Sequence, residues 1–179
     1  MKLNPNIRKV AVKYGLAGGL MSVLAFAVFY ALGHQPWRNL ISFILDAVII
    51  GMFCFLAIRE FKVSYNGSEL RFYHGMTIGF IVYLLIGFVF SLFFAGFINW
   101  IVPDFLAEYI QIAIEDLNLR KDMLLEQVDE NPEAFFQEQV EGIRQITRSQ
   151  LVLDVFLKRV LIGLFVTPVI SVALRTNQR

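Results

Sequence analysis

Residues 72–103 read FYHGMTIGFIVYLLIGFVFSLFFAGFINWIVP, 32 consecutive positions without a formal charge. A helix needs roughly 20 apolar residues to cross the hydrocarbon core of a bilayer. This stretch is therefore long enough to span a membrane, and its third-span core is read as 76–102. Working outward, Leu40 to Ile58 forms a second such run and Tyr14 to Gly33 another. A fourth covers Asp154 to Leu174. None shows the two-residue alternation of an outer-membrane barrel strand. In lipid only a helix satisfies its own backbone, so the spans are expected to be helical. The expected fold class is all-α: an integral membrane four-helix bundle, with an extramembrane amphipathic helical hairpin between spans three and four.

Composition agrees with this reading. The chain is 57% hydrophobic and 17% charged, against about 25% charged in an ordinary soluble domain. This excludes a soluble enzyme and a disordered tail. The single cysteine, Cys54, excludes a disulfide scaffold and reads as a small apolar filler inside span two.

Charge is unevenly placed. Residues 103–150 hold 11 acids and 4 bases, net −7, while the rest of the chain is net +8. No basic stripe with interleaved aromatics is present, so no nucleic-acid partner is expected. Nine Lys and Arg flank the spans on one side. Five flank them on the other, or seven if Lys158 and Arg159 are counted at that boundary. The excess marks the inner side. Both termini are then cytoplasmic, 103–150 is outside, and Trp37 and Trp100 fall at outer span ends. The first apolar stretch is about 20 residues, longer than the 7–15 of a cleaved signal peptide, so it reads as a retained span.

Within 103–150, Leu106, Ile110, Ala113, Leu117, Leu124 and Val128 recur mostly at steps of three and four, one face of a helix. Lys121 interrupts the stripe. Asp129-Glu130-Asn131-Pro132 reads as a turn, with Asn131 as N-cap and Pro132 in the first helical position. A second stripe follows at Phe136, Val140, Ile143, Thr147 and Leu151. One continuous helix is expected from Pro132 to about Leu174. Folded back on each other, the two helices would set Leu117 by Ile143, Leu124 by Phe136, and Lys121 by Val140 within reach of Glu138 or Glu141. The net charge disfavours lying flat on anionic lipid. Such a hairpin is either a solvated spacer or an arm that binds a protein partner or a second copy of the chain.

Small residues mark candidate packing faces: Gly15 and Gly19 in span one, and Gly79, Gly87 and Ser91 in span three. Such stripes let helix backbones approach closely. Asp46 lies roughly 10 Å into span two by helix rise. A charge at that depth needs pairing, protonation or water. Lys158 and Arg159 enter span four at similar depth from the same side, so either is a candidate partner. Both also suit snorkelling, and Asp154 offers Lys158 a partner one turn away. Pro168 is expected to kink span four.

Between spans two and three, Asn66-Gly67 is a turn signal between short alternating stretches, which suggests a small β-like turn. Arg59, Lys62 and Arg71 beside it suit anionic headgroups. Four features here resemble a known family: Lys13-Tyr14-Gly15 opening span one; Ile58-Arg59-Glu60-Phe61 closing span two; Asn66-Gly67 leading through Leu70 and Phe72 to Gly75 and Gly79; and the acidic helical insert before span four. Together they resemble the bacterial membrane proteins of domain-of-unknown-function family 4199. The resemblance implies a four-span protein of the bacterial inner membrane and brings no catalytic residues with it.

An enzyme is not expected. There is no HExxH motif, no carboxylate pair on one span, no phosphate-cradling glycine loop, and no intramembrane Ser and His set. His34 and His74 fall on opposite sides, so no metal is expected, and no cofactor. The leading expectation is a scaffold or accessory subunit with the hairpin as its working part. The other is a small dimeric transporter or channel using Asp46 as its coupling carboxylate.

Overall fold

The computed structural model describes residues 4–33, 40–126 and 131–176. In order these form α1 (Pro5–Ala31), α2 (Leu40–Glu60), α3 (Phe72–Gly96), α4 (Phe105–Leu119), α5 (Lys121–Leu125), α6 (Pro132–Arg144) and α7 (Arg148–Leu174). A π-helical turn, Phe61–Tyr65, follows α2, and another, Phe97–Ile101, follows α3. No strand occurs among the described residues. The four helices α1, α2, α3 and α7 are long and apolar enough to cross a membrane. The chain is an all-α, four-span membrane protein. His34, Trp37, Arg38, Val128 and the turn residues Asp129 and Glu130 lie outside the described residues.

The helices outrun the apolar stretches because polar caps, not hydropathy, set their ends. Asn4 Oδ1 accepts from the Asn6 amide at 3.0 Å, and Pro5 fills the first helical position of α1. At the other end Gly33, φ +76°, takes the left-handed conformation that closes a helix.

The chain divides into two compact units, Met1–Phe93 with Asp154–Arg179, and Phe94–Leu153. In the first, α3 packs on two sides through glycines. A Cβ on Gly15 would lie 2.7 Å from Leu85 Cβ, and one on Gly19 would lie 2.6 Å from Val89 Cβ. So α1 and α3 run parallel, with no room for a methyl group between them. On its other side α3 runs antiparallel to α7. Gly75 abuts Ser171, Gly79 abuts Thr167, and Tyr83 lies over Gly163. As α3 advances by four residues, α7 recedes by four. Gly87 continues the stripe at Phe156, where a Cβ would find 3.2 Å, and Ser91 after it is buried. Ile50, Ile58, Ile78 and Ile86 fill the centre. Leu20, Leu24, Phe88, Leu92, Phe165 and Val169 point outward, as side chains facing lipid do.

The second unit has a small aromatic core of its own. Phe105, buried, meets Phe94 and Phe97 edge-on at 5.5 and 5.9 Å between ring centres. Arg148 donates to Asn99 Oδ1 at 3.2 Å and to the Pro103 carbonyl at 2.8 Å. Helices α4 and α5 pack against α6, with Phe136 buried. Leu106, Ile110, Leu117, Leu124, Val140 and Ile143 are half-buried.

Several expectations need correction. The helix expected from Pro132 to Leu174 is broken at residues 145–147. Thr147 Oγ1 receives the Gln150 amide at 3.3 Å, and Gln150 Oε1 receives the Thr147 amide at 2.7 Å. This reciprocal capping box starts a new helix. The helix expected over 104–129 is split at Arg120, φ −106° and ψ 9°, into α4 and α5. The register therefore differs by about one turn. Lys121 meets Glu133 at 2.8 Å and sits 4.9 Å over the Phe136 ring, rather than beside Val140. Asn131 stands at the N-cap of α6 but in left-handed conformation, with no side-chain cap. The 59–72 connection has no β-like arms. Its turn does fall at Asn66-Gly67, with φ positive at Gly67 and Ser68, but it follows a π-helical turn.

These contacts predict opposite effects for two glycine-to-alanine changes. Gly163→Ala drives a methyl into the root of the Tyr83 side chain and should cost about 1–3 kcal/mol. Gly142→Ala, in open space within α6, should gain about 0.5–1 kcal/mol in helix formation. Thermal unfolding in detergent, followed by circular dichroism, reads both signs.

Candidate functional site

α2 and α7 run parallel, and one offset aligns them. Asp46 lies opposite Arg159 and Cys54 opposite Thr167, each 113 residues apart. At the first of these levels two ionisable groups meet inside the bundle. Arg159 Nη2 lies 3.0 Å from Asp46 Oδ1 and 2.8 Å from Oδ2. Its Nη1 donates to the Val155 carbonyl at 3.2 Å. The guanidinium carbon lies 3.4 Å from the Phe90 ring centre, so the cation is held against an aromatic face. The Arg159 side chain is 8% exposed and that of Asp46 24%. The carboxylate side of the pair is therefore the more open one. A lysine could not do this: its point charge has no planar face to lay on a ring and no fork of donors.

Lys158, the other candidate, stays outside the pair. It meets Asp154 at 2.6 Å within α7, and both side chains are about half exposed. Neighbouring residues on a helix point in directions about 100° apart, so only one of the two bases can face α2.

Deeper along the same seam, Cys54, Gly79 and Thr167 join α2, α3 and α7. Cys54 Sγ donates to the Gly79 carbonyl at 3.8 Å, and Thr167 Oγ1 donates to Cys54 Sγ at 3.9 Å. Pro168 sits inside α7 next to this junction.

At the far end of α2 a second polar cluster closes the bundle. Glu60 Oε2 accepts from Lys13 Nζ at 2.7 Å and Tyr14 OH at 2.6 Å. The opening motif of span one thus meets the closing motif of span two at one carboxylate. Lys62 Nζ donates to the Leu174 carbonyl at 2.9 Å. Thr176 pairs with Leu70 through both backbone and hydroxyl, and its hydroxyl also donates to the Ser68 carbonyl at 3.2 Å. Sequence reasoning missed Phe90 and the Glu60 cluster. The available signal was that α1 and α2 are antiparallel neighbours, which sets Lys13-Tyr14 beside Arg59-Glu60.

Chemically, the Asp46–Arg159 pair is a neutralised dipole clamped by three helices. Among the described residues no three His, Cys, Asp or Glu side chains gather as metal ligands would.

Removing one member of a buried pair leaves the other uncompensated, at about 3–5 kcal/mol, whereas replacing both by apolar groups is often neutral. Arg159→Met is therefore expected to destabilise the bundle strongly. The double change Asp46→Leu with Arg159→Met should recover most of that loss. Unfolding in graded denaturing detergent separates the outcomes.

No curated protein and no solved structure matches the chain. One family model does, over residues 13–176, from the lysine of the Glu60 cluster to the threonine that ties down the α2–α3 connection. The chain belongs to the family described as Protein of unknown function (DUF4199).

Proposed function

We propose that this membrane protein is a scaffold or accessory subunit, in which the four-helix bundle is the anchor and residues 103–150 are the arm that engages a protein partner. The observation that carries this reading is the surface of the arm. Phe94–Leu153 is a compact unit of its own, strongly acidic, yet it leaves Leu119 76% exposed and Met123 65% exposed. Large apolar side chains exposed on a charged helical surface are what an interface core looks like before it is covered. Among the described residues no metal-ligand cluster occurs, and on this reading the chain carries out no reaction itself. The excess of Lys and Arg beside the other span ends supports an orientation with both termini cytoplasmic and the arm outside, in a bacterial inner membrane on this reading.

A second reading rests on the Asp46–Arg159 pair. Ionisable groups at membrane depth are frequent parts of proton or ion pathways. Here the bundle would work as a small transporter or channel, assembled from two copies, with Asp46 as the coupling group. The close hold of Arg159 on Asp46 favours the first reading, because an engaged carboxylate is not free to bind a cation.

One experiment addresses both. The chain is isolated in mild detergent at native expression, with and without Leu119→Glu and Met123→Glu together. Those side chains are exposed, so the fold should persist. A companion protein recovered in stoichiometric amount with the intact chain, and at least about tenfold depleted by the double change, is expected. Unchanged recovery, or isolation of the chain alone as a defined oligomer, overturns the arm reading.

A further inference from the structure

Four buried polar atoms in the first unit have no hydrogen-bond partner among the described residues: Ser22 Oγ, Ser42 Oγ, Ser91 Oγ and Arg159 Nε. Each comes from a different long helix: α1, α2, α3 and α7 in turn. Two further atoms in the same state, His74 Nδ1 and Ser171 Oγ, lie toward the opposite end of the bundle, where α3 begins and α7 ends. The first four are linked to the ion pair through their neighbours along each helix. Arg159 stacks on Phe90, the chain neighbour of Ser91. Phe26 meets the same ring edge-on at 5.6 Å, and Ser22 lies one turn before Phe26 on the buried face of α1. Ser42 lies one turn before Asp46, on the same face of α2.

A buried donor without a partner is costly, and hydrocarbon offers it none. Arg159 and Ser22 are both more than nine-tenths buried. Four such atoms around one ion pair call for a shared partner. It must accept from Arg159 Nε, which only donates, and also serve hydroxyls and carboxylate oxygens, which accept. An anion fails this test, because the Asp46 carboxylate already lies against the guanidinium. Water meets it, since each molecule offers two donors and two acceptors. Asp46 is the less enclosed member of the pair, with its side chain 24% exposed against 8% for Arg159.

We propose that the Asp46–Arg159 pair forms one wall of a hydrated polar pocket inside the bundle, completed by Ser22, Ser42 and Ser91, which holds ordered water in contact with the aqueous phase. The pocket is independent of the arm and stands whichever reading of function holds. It explains how a charged pair is tolerated at this depth, because bound water serves the donors that the protein leaves unserved.

Thiol accessibility tests it. In a Cys54→Ala background, single cysteines replace Ser22 or Ser91, with Leu24→Cys as a lipid-facing control and Ile78→Cys as a dry-core control. Proteoliposomes opened to both sides receive a small charged methanethiosulfonate, which reacts through thiolate in water. Both S22C and S91C should be modified at least about tenfold faster than either control. Rates at both sites equal to Ile78→Cys, in protein that elutes as one folded species, overturn the pocket. Should the cysteine variants fail to fold, Ser22→Ala and Ser91→Ala decide. A dry orphaned hydroxyl is a liability, so its loss raises the melting temperature and overturns the proposal. A hydrated hydroxyl is an asset, so an unchanged or lowered temperature upholds it.

Discussion

Lipid tails are as apolar as leucine, so a membrane helix gains little by hiding its side chains from them. What draws such helices together is close contact, and close contact needs small residues. In this chain α3 depends on that condition twice. Gly15, Gly18 and Gly19 of α1 bring one backbone against it, and Gly75 and Gly79 with Gly163 bring α7 against its other side. The rest of the bundle follows. With α1 and α7 both seated on α3, α2 lies alongside α7 in parallel register, and Asp46 comes to the level of Arg159. The ion pair is a consequence of the glycine packing, and it adds direction to what would otherwise be a smooth apolar contact.

The two compact units meet their physical constraints differently. The bundle turns Leu24, Phe88 and Val169 outward around a core of Ile50, Ile58, Ile78 and Ile86. The second unit also folds apolar rings inward, Phe105 and Phe136, but presents carboxylates on its surface. An apolar outer face suits lipid, and a charged outer face suits water, where removing apolar surface stabilises a fold.

How much of this was legible in the sequence differs by residue. The four spans are legible because a run such as 76–102 exceeds what any buried soluble helix needs. Their limits are not, since Asn4 and the Thr147–Gln150 box act through polar atoms that hydropathy ignores. The box stands openly in the residues, as Thr-x-x-Gln, but the apolar period that continues through Leu151 obscures it. A lone carboxylate in an apolar run makes Asp46 conspicuous. Which of two adjacent bases meets it depends on the rotation of α7, which glycine contacts with α3 determine. The position of Lys121 over Phe136 turns on the break at Arg120, a position whose side chain carries no breaking signal.

The α3–α7 contact has a consequence in time. Gly163 follows Tyr83 by 80 residues in the chain. At ribosomal speeds of about 5–20 residues per second, that separation is on the order of ten seconds. Throughout this interval α3 is already made, while its glycine face lacks the helix that will fill it. The whole acidic arm is synthesised in the meantime. The nascent bundle is thus a three-helix intermediate with an open, small-residue groove facing lipid. It closes only when the last span arrives and Thr176 reaches the loop at Ser68 and Leu70.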